Sequence, residues 1–349
     1  MGRRVLITGL ATYWGGRLAQ ALEADPDVEV IIGLDTRQPT VRLERTEYVR
    51  SDENYSILSR IVRATGIDTI AHTFLVVDST QMSSRTMHEI NVIGTMNLFA
   101  AASASGSTVR TVAVKSSAHV YGSSPEDPYW FDETDKRLHS PRTKVERSIL
   151  EVEGFVRDFA RDNPHVSLSL LRFSNVIGPD LATPITKALR LPLVPKVAGF
   201  DPRLQLVHED DVVSAILFAL EHRLAGVFNV AGDGQIPWSE VCAIAGKHGL
   251  PLPTFGTSIG TEVLRRLGLV DLPPELIQVL RFGRGVDNRR FKEAGFEYRY
   301  TTAGAVEAFM EALRLRRTTG SKDPSYRYEE DIEQFFRHSP AVRRNNPQT

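Results

Sequence analysis

The residues near the start of the chain whose types and spacing could do chemistry are two glycines and an acid. Gly9 and Gly15 flank a five-residue turn that also holds the small residues Ala11 and Thr12, and Asp35 follows Gly15 by twenty residues. Glycines let a backbone approach a pyrophosphate closely, and the free N–H groups of a helix N-terminus bind its charge. A carboxylate at this distance accepts hydrogen bonds from ribose hydroxyls. Together these residues predict a binding site for a dinucleotide.

One position in the turn is irregular, because Thr12 stands where a glycine is usual in this fingerprint. A β-branched side chain there either crowds the phosphates or donates its hydroxyl to them, and the sequence leaves this choice open. A turn that only packs a strand against a helix would also use two glycines. Asp35, at the end of an apolar run, is the residue that favours the cofactor site over that alternative.

These residues need a strand–turn–helix–strand unit to position them. Residues 4–8 form an apolar run typical of a buried strand, residues 17–23 have helical spacing, and residues 28–34 form a second apolar run. Further along the chain, strand-like and helix-like segments continue to alternate, and the apolar residues 69–77 are predicted to form a fourth strand. This alternation predicts an α/β fold, a doubly wound parallel (Rossmann) sheet with helices on both faces. A ligand would then bind at the carboxyl ends of the strands.

The composition changes after Pro179, where prolines break the alternating pattern, and a smaller, mostly helical region occupies the C-terminal third. We expect this region to be a substrate-binding lobe that closes a cleft against the Rossmann domain. The predicted boundaries are 1–178 and 203–235 for the Rossmann domain, 179–202 and 236–317 for the lobe, and 318–349 for a polar C-terminal extension.

Composition narrows the class of partner. A formal net charge of −1 gives no electrostatic reason to expect nucleic acid or an anionic membrane. The single Cys242 excludes an internal disulfide and fits a reducing cytoplasm. No apolar run approaches the roughly 20 residues needed to span a bilayer, and no metal-ligand cluster stands out. We therefore expect a cytoplasmic protein that binds a small molecule and holds no metal.

Several segments, spread in order over roughly residues 3 to 310, together resemble one protein family. They are Val5-Leu-Ile-Thr-Gly9, Asp35, Asn91-Val-Ile-Gly-Thr-Met-Asn97, Ser116-Ser117-Ala-His-Val-Tyr-Gly122, Leu171-Arg-Phe-Ser-Asn175-Val-Ile-Gly-Pro179 and His208-Glu-Asp-Asp211. The chain is similar to the extended short-chain dehydrogenase/reductases, in particular to the NAD-dependent epimerase/dehydratase group that includes UDP-glucose 4-epimerase-like proteins.

The resemblance implies NAD as the cofactor, held by Gly9, Gly15 and Asp35, because a carboxylate at the last position repels the 2′-phosphate of NADP. Arg37 weakens that preference a little. Three further residues are candidates for the cofactor site. They are Asp52, which faces either an adenine amino group or only solvent, His72, placed at a strand end near the cofactor ribose, and Asn91, on the helix that supports the active-site water network.

The resemblance also implies a substrate site. Ser117 matches the serine that hydrogen-bonds the substrate hydroxyl or keto oxygen, and Asn175 matches a position that meets substrate near the nicotinamide. Arg203 lies within about one residue of the arginine that binds the diphosphate in nucleotide-sugar members. Family members often pair through two helices, here residues 87–102 and 142–160, so the resemblance implies a homodimer.

The family's proton chemistry uses a tyrosine and a lysine four residues apart on the helix that follows this serine, where the lysine and the cofactor ribose lower the pKa of the phenol. One register of the present helix puts Val145 and Ile149 in the two positions, and the other puts Arg142 and Glu146 there. No tyrosine in the chain has a lysine four residues later. The usual acid/base pair is therefore missing.

Other groups near Ser117 are candidates to replace the pair. Tyr121 is our candidate for catalysis, and Tyr129, His119 and Lys144 are also close in sequence, although a packing or surface role is favoured for each. Two functions follow. The first is an NAD-dependent oxidoreductase or epimerase of the nucleotide-sugar type, and the second is a catalytically silent NAD-binding sensor or scaffold. A third, weaker alternative, suggested by Thr12, is a fold that has also lost its cofactor.

Overall fold

A computed structural model describes residues 2–52, 54–252 and 272–319. Its main feature is a seven-stranded, all-parallel sheet with the strand order β11-β6-β5-β4-β1-β2-β3. The strands are β1 (Arg3–Thr8), β2 (Val28–Asp35), β3 (Thr46–Arg50), β4 (Thr69–His72), β5 (Thr111–Ser117), β6 (Ser167–Phe173), β7 (Asn175–Ile177), β8 (Leu193–Val197), β9 (Arg203–Leu204), β10 (Leu206–His208), β11 (Gly226–Val230), β12 (Ile236–Pro237) and β13 (His248–Leu252).

Helices connect these strands. They are α1 (Tyr13–Glu23), α2 (Tyr55–Thr65), α3 (Ser84–His88), α4 (Thr95–Ala102), α5 (Lys144–Asp162), α6 (Pro184–Arg190), α7 (Glu209–Glu221), α8 (Trp238–Ile244), α9 (Pro274–Phe282), α10 (Arg289–Glu293) and α11 (Thr302–Thr319). A π-helical stretch, Glu89–Gly94, joins α3 to α4, and one 3₁₀ turn, Ala118–Val120, follows β5.

The sheet is covered on both faces, which confirms the predicted doubly wound fold. Successive side chains of a strand point to opposite faces, and accordingly Leu6 packs in one core with α2, α4 and α5. Its neighbours Val5 and Ile7 pack in a second core with α1 and α7. The strand order reverses between β1 and β4, and a crevice opens outside the carboxyl ends of the strands at such a point.

A third core lies in the C-terminal region and includes residues of α6, α8, α9 and α11. Two contacts join this region to the loop after β4. The ammonium of Lys187 lies 3.0 Å from Asp78 Oδ2, and Ser79 Oγ donates to Glu275 Oε2 at 2.9 Å. The mostly helical lobe predicted by composition thus has its own core, while its exact boundaries stay a prediction. Of the predicted extension 318–349, only residues 318 and 319, at the end of α11, belong to the described residues.

The predicted fourth strand, residues 69–77, is shorter than its apolar pattern suggested, because β4 ends at His72. Residues 73–77 instead run as a loop whose backbone is bonded by a side chain. Asn91 Oδ1 accepts from Val76 N at 2.8 Å, and Asn91 Nδ2 donates to Val76 O at 2.9 Å. An amide side chain can thus replace the ladder partner that a strand residue would have, so an apolar run need not be a strand.

Candidate cofactor and substrate cleft

A cleft of about 960 Å³ lies at the carboxyl ends of β1, β2, β5 and β6 and is bounded on its far side by the start of α6 and α9. Its walls combine residues that are far apart in sequence, from the glycine turn to the C-terminal lobe. Among the residues predicted from the sequence, those on its walls are Gly9, Thr12, Asp35, Asp52, Ser117 and Asn175.

The glycine turn joins β1 to α1 with the helix start pressed against the turn. Gly9 has a positive φ of 80°, which favours glycine. A Cβ atom at Gly15 would overlap the carbonyl oxygen of Gly9, so only glycine lets the first turn of α1 come this close. The spacing of the two glycines therefore follows from the close approach of backbone to backbone.

Thr12 is the N-cap of α1, and its hydroxyl is turned back into the turn. Its Oγ1 donates to Gly9 O at 2.7 Å and accepts from Gly15 N at 3.1 Å. Because the hydroxyl proton goes to a carbonyl of the same turn, it is not directed at a phosphate. The threonine that replaces the usual glycine thus stabilises the helix start, as N-cap threonines do.

The N-terminus of α1 faces the cleft. The amide of Gly15 bonds to the Thr12 hydroxyl, and the amide of Gly16 bonds to the Thr12 carbonyl. The first two helical residues, Tyr13 and Trp14, line the cleft. Their N–H groups are among those that a helix leaves without an intrahelical partner. This arrangement suits a pyrophosphate, because such N–H groups and the helix dipole both favour an anion.

Asp35 ends β2 on the same wall, and two backbone amides orient its carboxylate. Oδ2 accepts from Ala11 N, and Oδ1 accepts from Arg37 N, each at 3.0 Å. The first of these bonds ties the acid to the glycine turn, so the predicted phosphate and ribose sites form one rigid unit. Asp52 lies on the cleft wall beyond the tip of β3 and is exposed.

His72 and Asn91 lie beneath the cleft and not on its wall. Burial lowers the pKa of His72 to about 3, and its two ring nitrogens lie 2.8 Å from the hydroxyls of Thr8 and Thr95. Asn91 is fully buried and bonds the loop after β4, at Val76. Both residues therefore support the cleft from below. Their contact with a cofactor stays a prediction, because their polar side-chain atoms are bonded within the protein.

At the other end of the cleft, Ser117 closes β5. Its Oγ lies 2.8 Å from His119 Nδ1, and both residues line the cleft with Asn175 of β7. Burial, followed by the positive charges of Arg284 and Lys115, lowers the pKa of His119 well below its usual value. The imidazole is therefore neutral at physiological pH, and the serine and histidine form an uncharged hydrogen-bonded pair.

Comparison with known proteins agrees with this geometry. Residues 5–231 match the model of the NAD dependent epimerase/dehydratase family, which is well over half of the chain. The chain belongs to this family. NAD, the cofactor predicted from the sequence, is the cofactor on which the family depends.

One relative, an uncharacterized protein from Mycobacterium tuberculosis, is 34% identical to this chain over 326 residues, which are 92% of this chain and 86% of the relative. UDP-glucose 4-epimerase 2 of Oryza sativa subsp. japonica is 25% identical over 190 residues, 50% of this chain and 45% of the rice protein.

Two solved structures illustrate the shared fold. The UDP-glucose 4-epimerase of Thermotoga maritima, solved with UDP-glucose, superposes with a TM-score of 0.68 at 19% identity over 90% of this chain and 99% of that chain. The dTDP-glucose 4,6-dehydratase of Bacillus anthracis, solved with NAD, superposes with a TM-score of 0.68 at 16% identity, over 91% of this chain and 98% of that chain. At such low identity these likenesses show the fold alone.

Helix α5 is the helix on which the sequence resemblance predicts the family's tyrosine and lysine. In one register the two positions hold Val145 and Ile149, which are fully buried in the core. In the other they hold Arg142 and Glu146, and Glu146 is paired with Arg137. None of these four positions lies on the wall of the cleft.

Tyr121 and Arg203 lie away from the cleft walls. The Tyr121 hydroxyl lies 2.9 Å from Asn229 Oδ1 and accepts from Arg172 Nη1 at 2.8 Å, and burial raises its pKa to about 12. Arg203 is exposed on β9, outside the cleft lining. The catalytic role of Tyr121 and the substrate contact of Arg203 therefore stay predictions that the geometry does not favour.

Lys115 is the wall residue that sequence reasoning missed. It is 4% exposed, on a strand otherwise made of apolar and small residues, and it lines the cleft two residues before Ser117. Its Nζ lies 4.8 Å from the ring centre of Trp14 and 5.9 Å from that of Phe173. Burial lowers its pKa to about 8. A lysine inside the apolar run of a strand buried on both faces was the available signal.

We expect Lys115→Met to stabilise the protein, because it removes a buried cation and keeps the side-chain volume. Below a pH of about 8, which is the lowered pKa of Lys115, the folded chain must bury a charged ammonium. The energetic penalty for this burial fades as the pH rises toward 10.5, the ordinary pKa of a lysine. The free energy of unfolding should therefore rise by about 2–3 kcal/mol at pH 7, by less at pH 10. Urea denaturation at both pH values measures this, and an unchanged or lower stability at pH 7 would contradict it.

Proposed function

We propose that the protein is an NAD-dependent oxidoreductase or epimerase of the nucleotide-sugar type. The observation that carries this proposal is that one cleft holds both halves of the required site. The glycine turn and Asp35 lie toward one end of the cleft, and Ser117 and Asn175 lie toward the other end. Family membership and the nucleotide-sugar epimerases and dehydratases of the same fold support it.

The residues present fit NAD. Gly9 and Gly15 let the turn and the start of α1 pack closely, so that the N-terminus of the helix faces the space where a pyrophosphate would approach, and the Thr12 hydroxyl is bonded back into the turn. The amide-oriented Asp35 carboxylate suits two ribose hydroxyls and opposes a 2′-phosphate. When bound, NAD would supply the hydride acceptor or donor.

The chain's own residues would then handle the oxygen and its proton. Ser117, oriented by His119, would donate a hydrogen bond to the substrate oxygen. Of the two ionisable residues that line the cleft within two positions of Ser117 in the chain, Lys115 suits proton transfer better than His119, since an amine with a pKa of about 8 exchanges protons near neutral pH. The pKa of His119, held well below 6.5, makes its ring a poor proton acceptor.

Turnover of nucleotide sugars tests this function. Purified protein would be incubated with a panel of UDP- and dTDP-sugars, following NADH absorbance and epimer formation, with Ser117→Ala as the matched variant. We expect turnover that Ser117→Ala reduces by about 100-fold or more. NAD binding without any turnover, and without reduction of the bound NAD, would contradict the proposed enzymatic function. It would favour the alternative, a catalytically silent NAD-binding sensor or scaffold, which is suggested by the absence of the tyrosine and the lysine.

We further propose a homodimer in the cytoplasm with a small-molecule substrate. Apolar side chains exposed on the π-helical stretch, α4 and α5, namely Ile93, Met96 and Phe155, support pairing through these helices. Within the described residues, no helix has the length and apolar character needed to cross a membrane. Sedimentation as a monomer at micromolar concentration would contradict the dimer.

Asp35→Asn should weaken NAD binding and narrow the preference for NAD over NADP. The amide keeps the size of the side chain but removes the charge that accepts hydrogen bonds from ribose and repels a 2′-phosphate. We expect about a tenfold loss of NAD affinity, and a smaller loss or a gain for NADP. Calorimetric titration with both nucleotides measures this. Asp27→Asn, exposed just before the opposite end of the same strand, is the control, and equal losses for NAD and NADP would contradict the assignment.

A further inference from the structure

The ammonium of Lys115 lies at the sheet end of the cleft, close to two aromatic rings. Within the part of the chain that the structure describes, it forms no ion pair and donates no hydrogen bond to a carboxylate, and burial alone accounts for its lowered pKa. Burying an ammonium without a counter-ion is costly. A cost of this size on a cleft wall indicates that the charge acts on what the cleft binds.

The position of Lys115 in the sheet indicates which end of a dinucleotide it would meet. Asp35 ends β2, and Lys115 lies near the end of β5, three strands away in the order β5-β4-β1-β2. With about 4.8 Å between strands, this separation is roughly 15 Å. A dinucleotide whose first ribose is held by Asp35 and whose pyrophosphate meets the N-terminus of α1 would direct its second nucleoside, the nicotinamide half, toward the ends of β5 and β6.

The walls at that end are built for a flat ring. The ring centres of Trp14, from the start of α1, and of Phe173, from the end of β6, lie 4.8 Å and 5.9 Å from the Lys115 ammonium. Both line the cleft, and Ser117 pairs with Phe173 across β5 and β6. A redox-active ring beside Ser117 would therefore share this aromatic environment with a positive charge.

The two redox states of nicotinamide differ in charge at this place. The oxidised ring carries a positive charge and the reduced ring carries none. The positive charges of Lys115 and of the N-terminal end of the α1 dipole disfavour the oxidised ring and have little effect on the reduced ring. Two like charges about 6 Å apart at an effective dielectric of about 20 change an affinity on the order of 10- to 100-fold.

We propose that Lys115 makes this cleft selective for the reduced dinucleotide, so that the protein holds NADH in preference to NAD⁺. The inference rests on the proposed function and assigns its direction. An enzyme that retains NADH would reduce a carbonyl substrate: the cofactor would supply a hydride for the carbonyl carbon, and the Lys115 ammonium would release its proton to the carbonyl oxygen. The products would be an alcohol, NAD⁺ and a neutral amine.

The test compares the affinities of NADH and NAD⁺ at pH 7 by calorimetric titration of the full chain. In the wild-type protein we expect NADH to bind on the order of 10- to 100-fold more tightly than NAD⁺. Lys115→Met should bring the ratio to within about threefold, mainly by tightening NAD⁺. Lys115→Gln is a second neutral variant should methionine perturb the fold, and Lys115→Arg, which keeps the charge, should keep the preference.

Each outcome is decisive. Equal affinities in the wild-type protein, or a preference for NADH that survives in both neutral variants, would overturn the inference and leave the cofactor site intact. An equal weakening of NADH and NAD⁺ in the neutral variants would also overturn it, because Lys115 would then contact the shared pyrophosphate. Binding of neither nucleotide would overturn the proposed function, and the inference with it.

Discussion

Gly15→Ala is expected to remove measurable NAD binding, a loss of affinity of about 100-fold or more. An added Cβ atom would overlap the backbone carbonyl of Gly9, which cannot move without displacing the turn or the start of α1. Either movement misplaces the N–H groups that would hold the pyrophosphate and separates them from Asp35, whose carboxylate is bonded to Ala11 of the same turn. Calorimetric titration with NAD, with circular dichroism to verify folding, measures the loss.

The matched control is Gly154→Ala. Gly154 lies inside helix α5, and a Cβ atom there meets no atom within 4 Å. Alanine in a helix interior should raise stability by about 0.5–1 kcal/mol and leave NAD affinity unchanged. Retained NAD affinity in Gly15→Ala would contradict the assignment of this turn to the cofactor. The loss of affinity in both variants would show that the assay reports folding and not the turn.

Glu153→Ala is expected to be among the most destabilising single substitutions in the chain, by about 3–5 kcal/mol. Glu153 is fully buried, its Oε2 lies 2.6 Å from Arg172 Nη2, and its Oε1 accepts from Ser116 Oγ at 2.7 Å. Removing the carboxylate would leave the buried guanidinium of Arg172 without its counter-ion. Because this network ties α5 to β5 and β6 directly beneath Ser117, urea denaturation should show a markedly lower midpoint.

Glu151→Ala on the same helix is the control, since Glu151 is largely exposed and its partner, His88, lies 3.4 Å away at the surface. An exposed pair of this kind contributes little, so we expect a change below about 0.5 kcal/mol. Replacing both buried partners, Glu153→Leu with Arg172→Leu, should restore part of the lost stability. Equal midpoints for Glu153→Ala and Glu151→Ala would contradict the role of the buried network.

Much of the fold was predictable because the relevant signals are local. The apolar runs of β1 and β2, the glycines between them and Asp35 twenty residues on define one βαβ unit from short-range spacing. The doubly wound sheet followed from repetition of that unit. The same locality explains the error at residues 73–77, where an apolar run is a loop because Asn91, from a helix further along, bonds its backbone.

The candidate site was less predictable, because its properties depend on which atoms are already bonded. Thr12 could face the phosphates or the turn, and only the structure shows its hydroxyl bonded to Gly9. His72 and Tyr121 have suitable chemistry, but both are bonded within the protein. Lys115 went unrecognised because its importance comes from what surrounds it, namely Trp14 and Phe173, which are distant in sequence.

Native mass spectrometry of the gently purified chain, with and without added NAD or NADH, tests the central claim most directly. The cleft, with the glycine turn of α1 and the Asp35 carboxylate on one wall, is predicted to carry one dinucleotide per chain, and Gly15→Ala should carry none. A wild-type chain that is folded and yet shows only its bare mass at saturating nucleotide would contradict the claim that this cleft binds a nicotinamide coenzyme.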